Sequence, residues 1–177
     1  MIKNKIVVKY QNGEIVKGWT GDFRPNREVF HLYPLKEYEY GEGEVLEVKL
    51  SSLKAVFFVK DYKGNKNYKK VRTFKGQPKV TPTQRKIVVI FKDGENVYGT
   101  SHSYGPNREG FFVYPIDTED NNERIFVVQS AVESIRLMKF DSEIPQTYRK
   151  KASEGQYKVE GSKWSSEVNS KTKNKNE

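Results

Sequence analysis

A chain of 177 residues without a single cysteine excludes disulfides, zinc–thiolate sites and thiol catalysis, so any core must be held by packing alone. No apolar run approaches the ~20 residues of a membrane-spanning helix, and no membrane partner is expected. The 32 Lys/Arg against 23 Asp/Glu give a formal net charge of +9, which points to an acidic partner until its location is traced.

The opening residues, MIKNK, run directly into a strand pattern without signal-peptide anatomy, and the expected compartment is the cytoplasm. Ile6, Val7, Val8 and Tyr10 supply the β-branched and aromatic side chains that strands prefer. Asn12-Gly13 follows, a dipeptide that favours the positive-φ turn of a tight hairpin. The returning strand carries Val16 and Gly18, and a mid-strand glycine marks a bulge or a bend where a small sheet curls. After the loop PNRE at 25–28, a third strand places Phe30 and Leu32 on one face and ends at Tyr33-Pro34, since proline cannot donate to a central ladder. Leu46 and Val48 mark a fourth strand, and Ser51, Ser52 and Leu53 a single helical turn. The run KAVFFV at 54–59 is apolar on both faces, so one face fills a core and the other needs a cover.

The chain then says the same thing again. Between 5–34 and 86–115, 15 of 30 positions are identical at a constant offset of 81. The loop at 35–43 is two residues longer than its counterpart at 116–122, and beyond it the offset is 79. Five short strands in about 55 residues, with no helical period, predict an all-β chain: a tandem duplication of a small five-stranded SH3-like or Sm-like barrel, the two packed against each other. The predicted organisation is a first barrel at 1–60, a partly ordered basic connector at 61–84, a second barrel at 85–140 and a polar, disordered tail at 141–177. The connector is read as an extra strand or a strap against the first barrel, with a hinge at Gln77-Pro78 and Thr81-Pro82. Trp164 is a large aromatic in an otherwise polar tail and a candidate docking anchor.

The positive charge is local. Residues 60–86 carry ten Lys/Arg against one Asp, a net of +9, whereas 1–59 carry +1 and 87–140 carry −3. Tyr62, Tyr68 and Phe74 interleave with Lys63, Lys66, Lys69, Lys70 and Arg72, a pattern in which bases stack on rings while cations meet phosphate. The same pattern describes a solvated lysine-rich connector.

Other candidate chemistry is sparse. The duplicated PNRE loops offer Asn26, Arg27, Asn107 and Arg108 to a carboxylate, a phosphate or a base edge; the competing reading is a turn in which Arg and Glu brace the hairpin. His31 alternates with Phe30 and Leu32 and should point away from the interior. His102 lies beside Ser101 and Ser103 but lacks an acid at a diagnostic spacing. Asp117, Glu119 and Asp120 read as solvated charge in a variable loop. With no phosphate loop, metal pair or carboxylate motif, neither an enzyme nor a cofactor or metal is expected.

The succession Asn/Asp-Gly, mid-strand Gly, PNRxxF, YP and LKAVFFVKD at 53–61 resembles an uncharacterised family of bacterial domains that occur alone, in tandem or beside other modules. The resemblance covers about residues 3–65 and 85–140 and implies no particular activity. More loosely, DFRPN at 22–26, preceded by Gly18, is similar to the Asp-x-x-x-Asn of the first Sm motif, which implies a base-binding pocket near Asp22 and Asn26. The second repeat has Ser103 in place of that aspartate and keeps Asn107, and neither repeat has the Arg-Gly of the second Sm motif.

The expected function is a non-enzymatic binding or adaptor module that recognises a protein partner in bacterial signalling or regulation. The alternative is RNA or single-stranded DNA binding through the connector and an Sm-like barrel. Homo-oligomerisation is compatible with either.

Overall fold

The structure, a computed structural model, describes residues 3–35, 44–65, 67–75, 83–105 and 107–138. Lys66, residues 36–43 of the longer loop, the prolines of the hinge, Trp164 and the tail lie outside the described residues. Ten strands form: β1 Asn4–Tyr10, β2 Ile15–Thr20, β3 Val29–Pro34, β4 Leu46–Lys49, β5 Leu53–Val59, β6 Arg85–Phe91, β7 Asn96–Ser101, β8 Gly110–Pro115, β9 Asn122–Val128 and β10 Val132–Met138. Single 3₁₀ turns at Leu50–Ser52 and Gln129–Ala131 precede β5 and β10, where the sequence placed one helical turn. The described residues contain no α-helix, and no helix is long and apolar enough to cross a membrane.

All ten strands join one open antiparallel sheet in the order β10-β6-β7-β8-β9-β5-β1-β2-β3-β4. The halves repeat one internal order, β4-β3-β2-β1-β5 and β9-β8-β7-β6-β10. Instead of ending at the first half, the ladder runs through: β5 pairs β1 on one side and β9 on the other. The apolar character of both faces of β5 explains this. Val56 and Phe58 enter one core cluster with Ile6, Val8, Phe30 and Leu32, while Ala55 enters a second with Ile87, Val89, Phe91 and Phe111. β9 alternates in the same way, Phe126 and Val128 toward the first cluster and Ile125 and Val127 toward the second.

The turn chemistry is as the sequence dictates. Gly13 and Gly94 adopt φ of 94° and 83°, and their N–H groups donate to Tyr10 and Phe91 at 3.1 and 2.9 Å. Asn12 and Asp93 side chains accept the N–H of Glu14 and Glu95, closing each turn locally. Gly18 and Gly99 serve close packing: a Cβ there would lie 2.1 Å from the Tyr33 carbonyl oxygen and 2.4 Å from that of Tyr114. β3 and β8 pair β4 and β9 along their first four residues and touch β2 and β7 only through their last two, at these points.

The connector corrects one expectation. It forms no strand among the described residues, and its strap lies largely against the second half rather than the first. Tyr62 Oη donates to the Gly18 carbonyl at 2.8 Å, but Tyr68 Oη and the Val71 N–H both donate to Asp117 at 2.8 Å. Phe74 then meets the Tyr98 ring at 6.0 Å.

Candidate binding site

Each PNRE loop is held at its end by the backbone. The N–H of Leu50 donates to the Glu28 carbonyl, and the N–H of Gln129 donates to the Glu109 carbonyl, both at 2.8 Å. The loops therefore hang from the two 3₁₀ turns in the same way. Asn26, Arg27, Asn107 and Arg108 are exposed. They crown the loops rather than gripping the sheet.

The β5–β9 junction brings the two loop ends together. Glu28, Leu50 and Ser51 of the first half line one groove with their counterparts Glu109, Gln129 and Ser130, enclosing about 500 Å³. Val29, Phe126 and Val128 make its apolar floor, and Lys49 sits on the rim of the first half. Gln11 bridges the two turns, its Nε2 donating to the Ser51 carbonyl and to Ser130 Oγ, each at 3.0 Å. The buried Gln129 Oε1 has no hydrogen-bond partner among the described residues. An unmet buried acceptor beside an apolar floor is a place for an incoming N–H donor. The loop arginines were the sequence's candidates, while the glutamates beside them face the groove.

Asp22 is engaged elsewhere. Its Oδ2 lies 2.7 Å from His31 Nδ1, and its Oδ1 accepts from the His31 N–H at 3.0 Å and from Thr20 Oγ1 at 3.1 Å. Burial alone would push its carboxyl pKa up, but these bonds outweigh that and lower it. In the second half Ser103 Oγ accepts the Phe112 N–H at 3.3 Å, so aspartate and serine do the same bracing at equivalent places. His31 is exposed, as its alternation with Phe30 and Leu32 requires. Ser101 Oγ accepts the N–H groups of Ser103 and Tyr104, and the His102 ring meets the edge of Tyr114.

The connector cations divide. Lys70 pairs with Asp120 at 3.1 Å, while Lys63, Lys69 and Arg72 are exposed. Asp117 and Asp120, read from sequence as solvated charge, are 7% and 5% exposed and anchor the strap. Burial raises the Asp117 pKa, but the bonds from Val71, Tyr68 and Glu119 outweigh it and leave it lowered. Its carboxylate in turn pushes the Tyr68 phenol up to about 12. A connector with seven cations and one acid needs nearby anions wherever it is held, and that imbalance was the available signal.

A second unforeseen cluster lies at the junction. The ladder shifts register between Lys9 and Tyr10, which leaves Lys54 as an extra residue of β5 and turns it toward the second half. Its buried ammonium pairs with Asp93 at 2.6 Å and with Glu95, and lies 4.4 Å from the centre of the Phe91 ring. Lys9 adds a bond to Glu95 at 3.1 Å. Burial acts against both acids, yet the lysines outweigh it and lower the pKa of each. A lone charge inside an otherwise apolar strand was the sequence signal.

No curated protein and no solved structure matches the chain. A family model matches residues 2–139, the whole of the ten-stranded sheet, and the chain belongs to that family, described as a family of unknown function (DUF6982).

Proposed function

We propose that the chain is a non-enzymatic binding module that takes an extended segment of a protein partner into the groove between its two PNRE loops. One observation carries the reading: a groove built from equivalent residues of both halves, with an apolar floor, glutamates on both sides and the unmet Gln129 acceptor. The occupant these features suit is a short segment with an apolar side chain for the floor and a neighbouring Lys or Arg for Glu28 and Glu109. The shared strand order of the halves supports reading each as one copy of a duplicated small barrel of SH3-like or Sm-like kind, with loops at one end free to bind. A role in cytoplasmic bacterial signalling or regulation belongs to the same proposal.

Nucleic acid is the second reading, and exposed Lys63, Lys69 and Arg72 favour it. Against it, Lys70 is held by Asp120, Asp22 is held by His31, and the acidic loop lies under the connector. A positional-scanning peptide library, read by fluorescence anisotropy at low salt, tests the first reading. Peptides pairing an apolar residue with Lys or Arg should be retained, and Glu28→Lys with Glu109→Lys should weaken them at least about tenfold. Binding that ignores this double substitution removes the groove as the site. Salt-sensitive retention of RNA oligomers, blunted by Lys63→Ala, Lys69→Ala and Arg72→Ala, would move the function to the connector.

A further inference from the structure

The junction between the halves has an unused equivalent at the ends of the sheet. β5 corresponds to β10 and β9 to β4 at the offset of 79, and the ladder joins β5 to β9 through five register pairs from Ala55↔Val127 to Val59↔Asn122. At the two ends, β10 pairs only β6 and β4 pairs only β3 among the described residues. The contrast in burial follows: six of the seven residues of β5 are buried, whereas none of β10 is. Each chain thus carries both halves of a contact it has already made once internally.

We propose that β10 of one chain adds antiparallel to β4 of a second copy, repeating the β5–β9 junction between molecules. Transferring the internal register sets Ser134 opposite Val48 of the other copy and Leu137 opposite Val45. Leu137 and Val45 are 43% and 40% exposed, two of only four large hydrophobic residues exposed among the described ones. Their internal equivalents are Phe58 and Arg124, which face each other in the ladder with the guanidinium 4.3 Å from the ring centre. The transferred pairing thus covers two apolar side chains that nothing described in a single chain covers. Because the two surfaces differ, the contact is heterologous and adds copies head to tail, in a ring or an open row.

The same transfer explains why this contact is weaker than the internal one. Ile135 falls opposite Glu47, a poor pair. Glu133 takes the place of Lys54 and meets Asn12 and Glu14 of the other copy where Lys54 meets Asp93 and Glu95. An attractive cluster becomes a repulsion between carboxylates. The association is therefore concentration-dependent and favoured by salt, which screens that repulsion.

Sedimentation velocity on the full chain, from about 10 µM to about 0.5 mM, reads the equilibrium directly. The wild type should associate as concentration and salt rise. Leu137→Glu, or Val45→Glu, should weaken association about tenfold or more, and Glu133→Lys should strengthen it by a similar factor through a new pair with Glu14. All three sites are exposed, and circular dichroism checks that each variant folds. A chain that stays monomeric throughout, with Glu133→Lys monomeric as well, overturns the proposal. So does an association that these substitutions leave unchanged, because another surface then makes the contact. The groove proposal is unaffected either way, since none of these residues lines it.

Discussion

Lys54 Nζ and Asp93 Oδ2 meet at 2.6 Å across the junction of the two halves, the lysine side chain 4% exposed and the aspartate 46%. The geometry depends on one extra residue in β5, which turns a cation out of the first core and into contact with the hairpin turn of the second half. The turn was already determined by Asp93-Gly94, so a local device of one half supplies the anions that hold the other. At the position equivalent to Lys54 the second half carries Glu133, an acid in place of the cation.

Removing Lys54 tests how far the halves depend on this contact. Lys54→Ala leaves a void over Phe91 and two carboxylates without their main cation, and should cost about 2–3 kcal/mol; the partial exposure of the acids keeps it below the loss for a fully buried pair. Lys54→Met keeps the volume and should cost only about 1 kcal/mol. Urea unfolding followed by tryptophan fluorescence gives both values. Equal losses would show that packing has no share in the effect.

The strap makes a prediction with opposite signs at the two ends of the pH scale. Asp117 is held below its ordinary 3.8, so it stabilises the fold above that value and the contribution disappears as pH falls through the folded pKa. Tyr68 is raised from 10.0 to about 12, so its contribution is complete below 10 and is lost as pH rises toward 12. Tyr68→Phe should remove one late-titrating phenol from the ultraviolet titration, and Asp117→Asn should flatten the acid limb of stability. A phenol count above pH 11 that does not change on Tyr68→Phe would sink the assignment.

The local grammar of the chain was legible because it is written in short range. Asn12-Gly13 and Asp93-Gly94 dictate their turns, proline ends β3 and β8, and alternation placed His31 outward. That the second half covers β5 was legible in its two apolar faces, but which strand would lie beside it was not, since a both-face-apolar strand accepts any neighbour with the right edge. Lys54 and Asp117 were misjudged or missed for a shared reason: both are charges whose burial depends on a segment distant in sequence. The groove was half legible, since the duplicated PNRE was visible, but which of its residues turn inward depends on the junction.

Two kinds of glycine should separate cleanly. Gly18→Ala and Gly99→Ala press a methyl group into a strand carbonyl and should each cost at least about 3 kcal/mol, because backbone rather than a flexible side chain is in the way. Gly13→Ala meets no atom within 4 Å and pays only for its left-handed backbone, about 1 kcal/mol. Denaturant midpoints of the three variants give the comparison. A Gly18→Ala midpoint close to that of Gly13→Ala would mean that β3 can move off β2 without loss.

Asp22 gives a final test of scaffold against site. If its work is to accept the His31 N–H, then Asp22→Ser, which installs the residue found at the equivalent place in the second half, should keep that bond and cost under about 1 kcal/mol. Asp22→Ala leaves the N–H and Thr20 without their acceptor and should cost about 1–2 kcal/mol. The lowered Asp22 pKa gives the sign with pH: the wild-type advantage over Asp22→Ala holds above the ordinary carboxylate value and shrinks as pH falls through the folded pKa. Neither substitution should alter RNA retention at low salt, because the carboxylate is occupied by His31. Loss of RNA retention in Asp22→Ser with stability intact would instead make this aspartate a contact residue.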